Sequence, residues 1–196
     1  MPNRPPRTAG PPPDASSLHD AALAYLARYA ATEAMLRRVL ERRIQRWAHL
    51  AAVAADPDLL ARQIDAMRAT AHQVVARLVT AGAVNDATFA ESRARNLVRA
   101  GRSRRAAAAH LAAKGVDSAT AQAALPADED SELAAALVLS RRRRIGPFRQ
   151  GAAPDAAGRH RELAMLARAG FPQDVARRAL AMDAEQAETL VIKLRR

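Results

Sequence analysis

Cysteine is absent from this 196-residue chain, which excludes disulfides and every metal or redox site built on thiolates. Aromatic residues make up only 3%, namely Trp47, Tyr25, Tyr29, Phe89, Phe148 and Phe171, and none alternates with basic residues, so base stacking on aromatic rings is not a main binding mode. Lysine is confined to Lys114 and Lys193, although the net charge is +11. No stretch reaches the roughly 18 apolar residues of a membrane span, and residues 1–17 lack the apolar run of a secretory signal. A cytoplasmic location without a membrane partner is therefore expected. Phosphate loops of the GxxxxGK[ST] kind, HExxH and GxSxG are missing too. His19, His49, His72, His110 and His160 are scattered without ligand spacing and read as surface or packing residues. Catalytic residues, metal and cofactor are all expected to be none, and the protein reads as a binder rather than an enzyme.

What the chain does contain is alanine, leucine and arginine, the strongest helix formers. Residues 1–17, with their Pro-rich runs, read as a disordered tail in which Arg4 and Arg7 are solvated. A first helix is expected over 18–29, capped by Ser16 or Ser17. A second starts at Thr32 and carries the apolar stripe Leu36, Val39, Leu40, Ile44, Trp47, Ala51 at spacings of three and four, with Trp47 assigned to the core. Asp56-Pro57 opens a third, as an N-cap followed by proline in the first turn, and Gly82 closes it. Asn85-Asp86 opens the next helix and Gly101 stops it. Another runs over 103–114 to Gly115, and a short one from Asp117 or Ser118 ends before Pro126. Asp128-Glu129-Asp130 complements a helix N-terminus, and Arg141 to Arg144 complement the C-terminus of the same helix. A loop is expected over 145–158, then a helix to Ala169 and a last pair.

An internal repeat organises the second half. Arg104, Leu111, Gly115 and Leu125 recur at identical spacing as Arg159, Leu166, Gly170 and Leu180, with Val116 and Phe171 each following the glycine. The physical sense is a helix, a glycine cap, an apolar residue tucked under the turn, and a second helix. The expected organisation is a tail over 1–17 and helical repeats over 18–84, 85–126 and 127–196, the last with a C-terminal helix. Short helical units of this kind bury their apolar faces by stacking.

The basic residues form clusters. Arg38, Arg42 and Arg46 line one face at spacing four, with Glu41 the nearest acid in sequence. Arg102, Arg104 and Arg105 sit at a helix start, where the helix dipole disfavours cations. Such placement points to an anionic partner, and a merely solvated face is the other reading. For Arg141, Arg142, Arg143 and Arg144 the favourable helix end competes with a binding role.

Several motifs in order carry a resemblance. They are Ala22-Leu23-x-Tyr25-Leu26-x-Arg28 with Leu36-Arg37-x-Val39-Leu40, and Gly82-x-Val84-Asn85-Asp86-x-x-Phe89-Ala90-Glu91. Ser103-x-Arg105 with Leu111-x-x-Lys114-Gly115-Val116 comes next, and Leu163-x-x-Leu166-x-Arg168-x-Gly170-Phe171 is last. In these the chain resembles the RecX family, bacterial regulators of the RecA recombinase, over about 18–180. It departs from the family pattern at Arg43-Ile44, where a Lys-Gly turn is usual, at Thr88 and at Ala107, and residues 49–70 match no family motif. The resemblance implies an all-α chain of three tandem three-helix repeats in an elongated, curved array. It also implies a monomer that lodges in the groove of the RecA filament, against the single- or double-stranded DNA within it, and restrains recombinase, ATPase and co-protease activity. Lys114, Arg159 and Arg168 join the clusters above as expected contacts. The alternative is a sequence-tolerant DNA- or RNA-binding helical protein with no recombinase partner. A helix-turn-helix base reader fits less well, since the basic faces are phosphate-directed and lack the Asn/Gln/Arg mixture that reads base edges.

Overall fold

A computed structural model of the chain describes residues 9–53 and 55–195. Among them are ten α-helices, one 3-10 turn and no strand. The chain divides into two compact units, Met1–Asp86 and Ala87–Arg196.

The first unit holds α1 (Ala15–Leu26), α2 (Glu33–Ala51) and α3 (Pro57–Thr80). Leu18 and Ala22 of α1, Leu36, Leu40 and Ile44 of α2, and Met67, Ala71, Val74, Val75 and Leu78 of α3 close over one core, with Val84 beneath them. The expected stripe is thus the buried one, and Trp47 packs half-buried at its margin. With no glycine at Ile44, α2 runs unbroken for 19 residues and α3 for 24. Asp56 accepts from the N–H groups of Asp58 and Leu59, and Pro57 follows it as expected.

Two expectations shift here. The N-cap of α1 is Asp14, whose carboxylate accepts from the Ser17 N–H, so Ser16 and Ser17 lie inside the helix. Residues 15–17 lie in α1, and the Gly10 carbonyl accepts from Trp47 Nε1 at 2.9 Å. Residues 1–8 of the expected tail lie outside the described residues. Asp86 also does more than open a helix: its Oδ1 accepts the Glu33 N–H at 2.8 Å, so α2 has two caps, Asp86 and Thr32.

The second unit holds α4 (Asp86–Arg99, all but its first residue), α5 (Arg104–Ala113), α6 (Ser118–Ala124), α7 (Glu129–Arg143), α8 (Ala156–Arg168), α9 (Gln173–Ala181) and α10 (Ala184–Arg195). Ala90, Ala94, Ala107, Leu111, Val116, Ala121 and Leu125 form one cluster among α4, α5 and α6. A larger one is built on α7, α8, α9 and α10. Leu133 to Val138 of α7 are all buried. A helix apolar on every side is a central helix, and the alanines at 134–136 let neighbours approach it closely. The expected loop is shorter, because α8 starts at Ala156 under the Asp155 cap and Gly158 lies within it.

The glycine stops behave as the repeat requires. Gly115 and Gly170 have φ of 90° and 93°. In each turn the following residue donates its N–H back into the helix, Val116 to the Leu111 carbonyl and Phe171 to that of Leu166. Both of those apolar residues are buried. At Gly170 a Cβ would also lie 2.7 Å from Ser103 Oγ, whereas one at Gly82, also with positive φ, meets nothing within 4 Å. Gly82→Ala should therefore cost about 1 kcal/mol, from backbone strain alone. Gly170→Ala adds displacement of the Ser103 cap and should cost about 2–3 kcal/mol. Urea unfolding followed by helical circular dichroism separates the two, and equal losses contradict the close approach.

Candidate nucleic-acid interface

On α2, Arg38, Arg42 and Arg46 are all exposed. The carboxylates near Arg42 and Arg46 face elsewhere. Glu33 pairs with Arg37, and Glu41 accepts from Arg68 at 2.8 Å and from Gln45 at 2.7 Å. Those hydrogen bonds, Arg68 first, hold the Glu41 carboxyl below its ordinary range. No ion-pair partner among the described residues meets Arg42 or Arg46; Arg46 Nε only turns back to the Arg42 carbonyl at 3.3 Å. Two guanidinium groups on one helical face thus remain open to an anion. Beside them Arg37, Arg38, Arg68 and His72 surround Glu41 in a shallow depression. Arg68 and His72 come from α3, so the spacing along α2 could not reveal them.

The trio at the start of α5 splits. Ser103 is the N-cap, wholly buried, and accepts the Ala106 N–H. Arg104 turns inward: its guanidinium donates to the Pro126 carbonyl at 2.6 Å and to Gln122 Oε1 at 3.0 Å, and its N–H donates to Glu132 Oε2 at 2.8 Å. Burial raises the Glu132 carboxyl, and the N–H and charge of Arg104 pull it partly back. The guanidinium expected at the binding surface thus makes its contacts within the unit. The helix N-terminus already receives a carboxylate, and Arg104 holds α6 and the following linker. Arg102 and Arg105 stay exposed, with Arg105 beside the turn at Gly170.

Arg102 and Lys114 bear electrostatically on a histidine expected to be a surface or packing residue. Both act on His110, together with Arg93 of α4, whose Nε lies 3.1 Å from His110 Nε2. Burial first, then the charges of Arg93, Lys114 and Arg102, hold the imidazole below its ordinary value. Arg93 stands in no basic run, and only the packing of α4 beside α5 brings it here.

The run at the end of α7 is divided as well. Arg141 pairs with Glu188 of α10 at 2.9 Å. Arg142 donates to the Ala100 carbonyl at 3.1 Å, placing a cation at the C-terminus of α4, where the helix dipole favours it. Arg143 and Arg144 are exposed, and Arg144 closes the helix in a left-handed conformation at φ 54°. Arg159 donates to the Pro154 carbonyl and lines a cleft with Arg149, Glu162 and Arg177, while Arg168 is exposed at the end of α8. Among the described residues no group of three or more His, Cys, Asp or Glu is placed to hold a metal, and no helix is long and apolar enough to cross a membrane.

Comparison with known proteins agrees with this architecture. The family model described as RecX, second three-helix domain, matches residues 85–125. A regulatory protein RecX of Myxococcus xanthus is 38% identical over 165 residues, which is 83% of this chain and 83% of that protein. Those of Agrobacterium fabrum and Mycobacterium ulcerans are 37% identical over 109 residues and 43% over 111. These alignments cover 56% and 53% of this chain, and 58% and 60% of those proteins. The crystal structure of RecX from Lactobacillus salivarius superposes with a TM-score of 0.56 at 17% identity, covering 92% of this chain and 96% of that one. At such identity it shows the shared fold alone.

The division between inward and outward arginines is measurable. Arg104→Ala leaves a carbonyl and an amide oxygen without their donor and should cost about 1–3 kcal/mol. Arg42→Ala should change stability by under about 0.5 kcal/mol, as exposed substitutions do. Denaturant midpoints of the two variants check this, and equal effects contradict the assignment of Arg104 to the interior.

Proposed function

The chain belongs to the RecX family of regulatory proteins, and on that premise we propose that it binds the RecA–DNA nucleoprotein filament and inhibits its recombinase, ATPase and co-protease activities. Identity of 38% to a regulatory protein RecX across most of both chains is the observation that carries this reading. The surface chemistry supports it. A net charge of +11 resides almost wholly in arginine, whose planar fork suits phosphate and carboxylate. Arg42, Arg46, Arg102, Arg105, Arg143 and Arg168 lie exposed, on elements of both units.

The protein acts by binding, as a monomer in the cytoplasm and without a catalytic centre or cofactor. The repeats over 18–84, 85–126 and 127–196 each contribute part of the basic surface, to DNA or to acidic protein surface within the filament. Linked sites of this kind raise avidity on a repeating target without new contact types. One chain therefore spans several recombinase subunits.

ATP hydrolysis by RecA on single-stranded DNA tests the proposal. Suppression is expected well below one molecule per recombinase subunit. Undiminished hydrolysis at equimolar protein, with binding to bare DNA retained, sinks it in favour of a nucleic-acid binder with no recombinase partner.

A further inference from the structure

The Arg93–His110 hydrogen bond fixes the state of the imidazole. An arginine Nε carries a hydrogen and only donates, so His110 Nε2 accepts with its lone pair. The ring is then neutral, with its proton on Nδ1. If Nε2 gains a proton, two N–H groups and two positive charges face each other at the same place. An oxyanion between them restores the balance, because both N–H groups can donate to it.

The charges around the ring are of one sign. Arg93 approaches from α4, Lys114 from the end of α5 and Arg102 from the residue before the α5 cap. Of the acids on neighbouring elements, Asp117 caps α6 on the Thr120 N–H, Glu132 of α7 accepts the Arg104 N–H, Asp86 of α4 accepts the Glu33 N–H, and Glu91 of α4 is exposed. Arg104 itself is turned to Pro126 and Gln122. Arg102 and Lys114 bracket the ten residues of α5, a helix about 15 Å long. Three cations around one imidazole match a polyanion of closely spaced charges better than a single carboxylate.

Resting on the reading of this chain as a binder of DNA within the filament, we propose that Arg93, His110 and Lys114, extended by Arg102, form a proton-linked clamp for the phosphodiester backbone. A phosphate oxygen enters between Arg93 and His110, and the imidazole takes one proton from solvent at Nε2 as the anion arrives. No bond to phosphorus forms or breaks. Binding and protonation then favour each other. Affinity rises as pH falls through the interval between the titration of the free imidazole and that of the bound one. With one proton taken up, the gain is at most about tenfold per pH unit.

The experiment follows the His110 ring signals of the full-length protein by NMR against pH, alone and with a short oligothymidylate. Affinity for the same oligonucleotide is measured in parallel from about pH 8 to about pH 6, across the range where histidine titrates. The expected results are a titration that moves to higher pH when the oligonucleotide binds, and a several-fold gain in affinity on acidification. His110→Gln keeps an acceptor for Arg93 but cannot titrate. It should lose most of the gain in affinity on acidification. Arg93→Gln should weaken binding several-fold throughout. If His110→Gln keeps the full pH response, or the His110 titration does not move with saturating oligonucleotide, the clamp is overturned while the reading of a DNA-binding regulator stands. If a polyglutamate peptide moves the titration and the oligonucleotide does not, the phosphodiester assignment is wrong. If the parent binds the oligonucleotide at no pH, DNA contact itself fails and the clamp with it.

Discussion

A single buried hydroxyl ties the second unit together. Ser103 Oγ accepts the Ala106 N–H at 3.2 Å, which starts α5, and donates to the Ala169 carbonyl at 2.7 Å, which ends α8. With both valences used, its burial costs little; with either partner lost, a buried polar group is left unpaired. The surroundings follow from this joint. Position 170 is glycine, since a Cβ there would collide with the hydroxyl. Position 104 is held by Glu132, Pro126 and Gln122, so α5, α6 and α7 meet at adjacent residues. Arg102 and Arg105 flank the joint, and a fixed backbone presents them to solvent.

The basic surface has a structural cause beyond the arginine count. Many aspartates sit at helix N-termini, where Asp14, Asp56, Asp117, Asp128 and Asp155 each accept a backbone N–H. Asp183 does the same ahead of α10, and Asp86 caps α2. Glutamates pair with chosen arginines: Glu33 with Arg37, Glu41 with Arg68, Glu188 with Arg141. Carboxylates placed this way stabilise helices through the dipole and the orphan N–H groups. They leave Arg42 and Arg46 without ion-pair partners among the described residues. Helix capping and the exposed basic surface are thus two consequences of one distribution of charge.

Local chemistry was readable in the chain, and packing was not. Asp56-Pro57 and the glycines at 82, 115 and 170 mark helix ends by backbone rules that hold without tertiary context. The family motifs, spread from residue 22 to residue 171, foretold the relatives found by comparison. Asp14 was missed as a cap because Ser16 and Ser17 are equally good candidates and proline precedes it. The contacts of Arg104 were hidden for a different reason. Its partners stand 18 to 28 residues away, and one of them is a backbone carbonyl that no pattern of side chains discloses. Arg93 and His110 meet only because α4 lies beside α5. A charge cluster in sequence therefore overstates what is free for a partner and omits cations that folding adds.

Co-sedimentation of the protein with RecA filaments on single-stranded DNA, over a range of salt, tests the central claim most directly. The account predicts binding that weakens steeply with salt. It also predicts that the variant carrying Arg42→Ala and Arg46→Ala binds more weakly with its fold unchanged. Where these arginines meet phosphate, each lost contact flattens the slope of log affinity against log salt by about 0.7. Where they meet carboxylates of the recombinase, filament binding falls while binding to bare DNA is unaltered. A parent protein that fails to sediment with the filament at low salt, or a variant that binds filament and bare DNA like the parent, contradicts the account.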